Sequence, residues 1–150
     1  MTVFLRVTAI ATIAFVVVEA LPLAWFNVVL CWAIIVIAAY RYPHMILDKV
    51  QAMSSAVGFA VGMGAAIGAI INFAGMCGAL ILHTIVVGIS GAAHAHDSSL
   101  DAGTTLNAFS AVGDLFQVAG SPFVGATLGA IGGLVGGSTV PRSTATARPL

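Results

Sequence analysis

Charge is what this chain has least of. Five Lys and Arg against five Asp and Glu leave its 150 residues formally neutral, with 7% charged and 60% hydrophobic. Soluble domains carry about a quarter charged residues, and so few polar groups cannot cover the surface of a water-soluble fold. The chain is therefore expected to fold with a lipid bilayer as its solvent. The basic residues Arg6, Arg41, Lys49, Arg142 and Arg148 are scattered. No basic face forms to neutralise a phosphate backbone, which excludes nucleic acid as a partner. Cysteine is scarce too: Cys31 and Cys77 both fall in apolar runs, which suits small buried hydrophobes rather than a disulfide framework or a thiolate metal site. No hydroxyl or histidine sits in the context of an activated nucleophile, so no Ser/His/Asp triad, no catalytic residue and no cofactor is assigned, and the chain is read as a non-enzyme.

What the sequence has is long apolar runs. Residues 7–40 are interrupted only by Glu19, Pro22 and Asn27. As one helix this run would reach about 50 Å, against a hydrocarbon core of about 30 Å, so it folds back. The hinge is expected in "EALPLAWFN", where Pro22 removes a backbone donor and Trp25 and Phe26 suit an interface. The "VEA" before it has the small-residue pattern of a signal cleavage site, but apolar sequence resumes at once after Pro22, so the segment is expected to stay as a first span. Spans at about 4–21 and 24–40 result. "YRYPHMILDK", residues 40–49, reads as an interfacial loop, and its Arg41 and Lys49, with Arg6, place it and the N-terminus in the cytoplasm.

Residues 51–90 carry no Lys, Arg, Asp or Glu. At about 60 Å they are too long for one upright span, so they form either one long helix, tilted or bent near "NFAGMCG" at 72–78, or two spans. "GAAHAHDSSLDAGTT", residues 91–105, reads as an exterior loop. A last helix is expected over 104–138, capped near Thr104 and Thr105 and kinked near Pro122. Residues 139–150 form a flexible tail. Placing Arg142 and Arg148 in the cytoplasm requires an even number of crossings, so the fold class is an all-α transmembrane bundle of about four spans in a 1–138 domain, with a short N-terminal hairpin and two longer glycine-rich helices.

Glycine patterns those two helices. In "GATLGAIGGLVGG" the glycines Gly125, Gly129, Gly133 and Gly137 recur every fourth residue. No strand, lysine or paired Ser/Thr completes a phosphate loop. A bare stripe along a helix instead lets another backbone approach closely, and in lipid such packing drives helix association. Gly58, Gly62, Gly64 and Gly68 make a second set, and the two are natural partners, within one chain or between chains. Polar residues inside apolar runs form another group: Glu19, the sole glutamate, with Asn72, Asp114 and Gln117. Intramembrane polar groups are expensive and mark ion or solute paths, although Glu19 also reads as a cap on the hairpin turn. His94, His96 and Asp97 are ligand types for zinc or copper, but a solvated polar loop accounts for them more simply, and no metal is assigned.

The stretch "ALPLAWFNVVLCWAIIVIAAYRYP", followed by a glycine-spaced helix and a terminal glycine zipper, resembles small uncharacterised bacterial membrane proteins with four spans. The resemblance implies topology and no activity. The leading reading is an accessory, assembly or structural subunit that acts through helix packing, self-associating or bound to a larger membrane protein. Its rival is a small channel, holin-like pore or transporter component whose path is lined by Glu19, Asn72, Asp114 and Gln117. Convergence of those polar side chains on one cavity separates the two.

Overall fold

A computed structural model describes the backbone of residues 1–21, 25–53, 55–94 and 103–141, with all side chains of these except those at 25, 83, 86–94 and 103–116. The described chain is helical throughout: α1 (Thr2–Glu19), α2 (Trp25–Met45), α3 (Leu47–Gln51), α4 (Ala56–His94) and α5 (Gly103–Ser138). Four segments are long and apolar enough to cross a membrane, Thr2–Glu19, Phe26–Met45, Ala56–Leu82 and Gln117–Ser138. The protein is an all-α bundle of multi-pass type.

α1 stops where Pro22 forbids its continuation. Its last turn tightens, with the Leu21 N–H donating to the Val18 carbonyl at 3.0 Å. The Asn27 amide then donates to the Leu21 carbonyl at 2.7 Å and to that of Glu19 at 3.5 Å, so the first turn of α2 satisfies carbonyls that α1 leaves open.

α2 runs five residues past its expected end, through Pro43 to Met45, and α3 follows where a loop was expected. Packing explains the difference. Tyr42 is buried edge-on against Phe4, ring centroids 6.0 Å apart, and a Cβ on Gly136 would meet the Pro43 ring at 3.0 Å. A proline this close to a helix end sacrifices one backbone bond, to Ala39, and the buried face holds the turn together. Arg41 stays exposed on the opposite side.

α4 is a single helix of 39 residues that passes through "NFAGMCG" unbroken, and α5, of 36 residues, passes through Pro122. The Ser121 hydroxyl donates to the Val118 carbonyl at 2.8 Å, the group that loses its N–H partner to Pro122. α4 and α5 make the most extensive helix contact. α1 packs on α4 and α2, while α2 also packs on α5 and α4. Phe15, Cys31, Ile35, Ile67 and Ile71 form the centre of the core. Outward positions of the spans, such as Ile10, Ile13, Trp32, Ile37 and Phe123, are exposed apolar side chains, as lipid contact requires.

Candidate functional site

Two features of the four-helix bundle involve the residues singled out in the sequence. The first is the α4–α5 seam. Gly64 and Gly68 face Gly129 and Gly125 so closely that a Cβ on any of the four would fall on the opposite glycine's carbonyl oxygen, and one on Gly133 would fall on that of Ala60. The hydrogens at those positions point at the carbonyls instead, the geometry of reciprocal Cα–H···O contacts. Gly137 lies near the Ala60 side chain. Gly58 and Gly62 are not in the seam: a Cβ on Gly58 would meet only the Ser55 side chain, and one on Gly62 would meet nothing within 4 Å. Gly64 lies two positions after Gly62, about 200° around a helix, so the two pairs point to opposite sides. Gly132 and Gly136, outside the four-residue series, meet the α2 backbone at Val36 and Tyr40.

The second feature is a cleft of about 340 Å³ lined by all four long helices. Phe15 and Glu19 come from α1, Val28, Cys31 and Trp32 from α2, Asn72 and Met76 from α4, and Gln117, Gly120, Ser121 and Val124 from α5. Three of the four polar residues predicted to mark a path, Glu19, Asn72 and Gln117, thus meet at one place. The side chain of Asp114 lies outside the described residues, as do His96, Asp97 and the His94 side chain. Among the described residues no group of three or more His, Cys, Asp and Glu is placed to hold a metal ion.

Hydrogen bonds fix much of the polar lining. The buried Asn72 amide donates to the Ser121 carbonyl at 2.7 Å, and the Ser121 hydroxyl is engaged with Val118. The Cys31 thiol lies 3.5 Å from Glu19 Oε2 and 3.8 Å from the Phe15 carbonyl. Cys31, Trp32, Gly120 and Ser121 were not read as site residues. Ser121 carried a signal, since a hydroxyl beside an intramembrane proline can replace the bond that the proline removes. Cys31 and Trp32 carried none, because nothing in an apolar run says which side faces a cleft.

Depth follows from the neighbours. Phe15 lies against the Gly75 position and Val16 against Gly78, so α1 and α4 run parallel and Glu19 is level with about residue 79. Glu19 is the last residue of the Thr2–Glu19 span, and α4 continues beyond its level. Towards α3 the cleft is closed by Ile35, Ile67 and Ile71, each 0% exposed. The cleft thus lies on the side of this layer away from Arg6, Arg41 and Lys49.

Compared with family models, with curated proteins and with solved structures, the chain matches none. Its function is read from the geometry.

Proposed function

We propose that this protein is a small polytopic membrane protein of the channel or transporter type, which admits a polar solute to the cleft between its four spans. One observation carries the reading: Glu19, Asn72 and Gln117, from three helices far apart in sequence, line a common cleft. Polar side chains in a bilayer are costly unless they face one another or water. The buried Ile35, Ile67 and Ile71 layer lies beneath them, so passage across the membrane requires that layer to part.

Water access tests it. Gly120 lines the cleft and has open space at its Cβ position, so Gly120→Cys is tolerated sterically. Ile13 lies at a similar depth on α1 and faces outward. With Cys31 and Cys77 replaced by Ala, a membrane-impermeant thiol reagent is expected to label Gly120→Cys at least tenfold faster than Ile13→Cys. Equal, slow labelling of both would mean a dry cleft and would remove the solute reading.

A second reading, the accessory subunit, is supported by a different observation. α4 continues past the level of Glu19, and there Ile81, Leu82 and Ile85 are exposed. In this reading the α4–α5 glycine zipper serves as a stiff post and the exposed apolar end meets another membrane protein. A dry cleft would leave this second reading standing.

A further inference from the structure

We infer that the cleft takes an organic ammonium group, with the nitrogen held beside the Glu19 carboxylate and its apolar substituents against Trp32, Phe15 and Met76. The inference rests on the solute-cleft reading and names the chemistry of the solute.

Sign comes first. Glu19 is the acidic residue among the described lining residues, and these include no Lys, Arg or His. Glu19 is half-buried, with its Oε2 3.5 Å from the Cys31 thiol, so its carboxylate has lost part of its hydration. A cation in the cleft would replace that lost hydration, whereas an anion would be repelled and a neutral guest would gain nothing from the charge.

The choice between inorganic and organic cations follows from the remaining lining. A bare metal ion needs several oxygen ligands at once. Here the Ser121 carbonyl already accepts from Asn72 and the Ser121 hydroxyl is committed to Val118, so few side-chain oxygens remain besides those of Glu19, Asn72 and Gln117. The rest of the wall is apolar or aromatic: Phe15, Val28, Trp32, Met76 and Val124. Aromatic faces, Trp above all, attract ammonium groups whose charge is spread over carbon substituents, and a polarizable Met side chain adapts to their shape. A cavity of about 340 Å³ also exceeds what a dehydrated metal ion fills and lies in the range of small-molecule sites.

An ammonium group reaches such a site from two sources, a dissolved amine or a lipid headgroup, because Trp32 and Val124, which line the cleft, are also exposed on the outside of the bundle. The test uses the full chain in nanodiscs of phosphatidylglycerol, which has no ammonium. Benzyltrimethylammonium is titrated in, and its neutral isostere neopentylbenzene, with carbon in place of nitrogen, competes at equal free concentration. The cation is expected to bind at least tenfold more tightly than the isostere. Glu19→Gln should remove that preference, and Trp32→Leu should weaken the cation more than the isostere. Nanodiscs of phosphatidylcholine then identify the source: weaker apparent binding there assigns the headgroup as occupant, and unchanged binding assigns a dissolved amine. Equal affinity for cation and isostere in the unmodified protein would overturn the ammonium assignment while leaving the cleft reading in place. The cleft reading itself fails by the labelling of Gly120→Cys, which involves no ligand.

Discussion

At Asn72 and Ser121 a buried polar pair ties α4 to α5 at the floor of the cleft. The two residues act on different backbone groups: Asn72 adds a second donor to the Ser121 carbonyl, and the Ser121 hydroxyl replaces the N–H that Pro122 takes from Val118. Interhelical side-chain hydrogen bonds in membranes are worth about 0.6 kcal/mol on average and less than about 2 at most, so Asn72→Ala is expected to cost roughly 1 kcal/mol. Ser121→Ala should cost a similar amount in the natural chain but almost nothing in a Pro122→Ala background, where the substituted residue restores the missing N–H. Unfolding free energies of the four variants of that cycle, read by steric trapping in mixed micelles, check it, and an equal Ser121→Ala cost in both backgrounds would refute the compensation. That Glu19, Asn72 and Gln117 deserved notice was legible in the sequence, since each is a polar residue in an apolar run. Their convergence was not, because it depends on how α1, α4 and α5 sit around α2.

Helices repeat the lesson one level up. The spans were legible from apolar run length, and the fold-back at Pro22 from the thickness of a bilayer. The end of α2 was missed because "YRYPHM" is polar in composition, while its buried half, Tyr42 and Pro43, is held by Phe4 and Gly136, which lie far away in sequence. Glycine spacing likewise marked α4 and α5 as candidates for close packing without deciding which of the two series on α4, Gly58 with Gly62 or Gly64 with Gly68, faces α5. The same Gly→Ala change should therefore have opposite signs at neighbouring sites. Gly68→Ala and Gly129→Ala force a Cβ onto a facing carbonyl and are expected to lower stability by roughly 1–3 kcal/mol, as overpacking does. Gly62→Ala meets no atom and reduces the freedom of the unfolded backbone, for a gain of about 0.5 kcal/mol. Unfolding midpoints in mixed micelles measure all three. A loss at Gly62 matching that at Gly68 would mean that glycine contributes backbone flexibility here rather than close approach.

Over the whole molecule, contacts fix which ends lie together. Phe4 packs on Tyr42, His44 Nε2 lies 3.1 Å from the Thr139 hydroxyl, and the Gln51 amide donates to the Pro141 carbonyl at 2.8 Å. The start of α1, the end of α2, α3 and the end of α5 thus gather at one end, and Leu21 lies at the other. Arg6, Arg41 and Lys49 share the first end, so the positive-inside bias predicts that this end lies in the cytoplasm and the cleft on the exterior side of the bundle. Single cysteines at exposed positions test this in a Cys31→Ala/Cys77→Ala background. In intact bacterial cells expressing the protein, an impermeant maleimide should label Leu21→Cys, whereas Thr2→Cys and Ser138→Cys should react only after permeabilisation. Labelling of Thr2→Cys and Ser138→Cys in intact cells, with Leu21→Cys protected, would keep the bundle and reverse its orientation, so the cleft would draw its solute from the cytoplasm. Labelling of only one of Thr2→Cys and Ser138→Cys would break the even number of crossings, and with it the arrangement of four spans that brings Glu19 to Asn72 and Gln117.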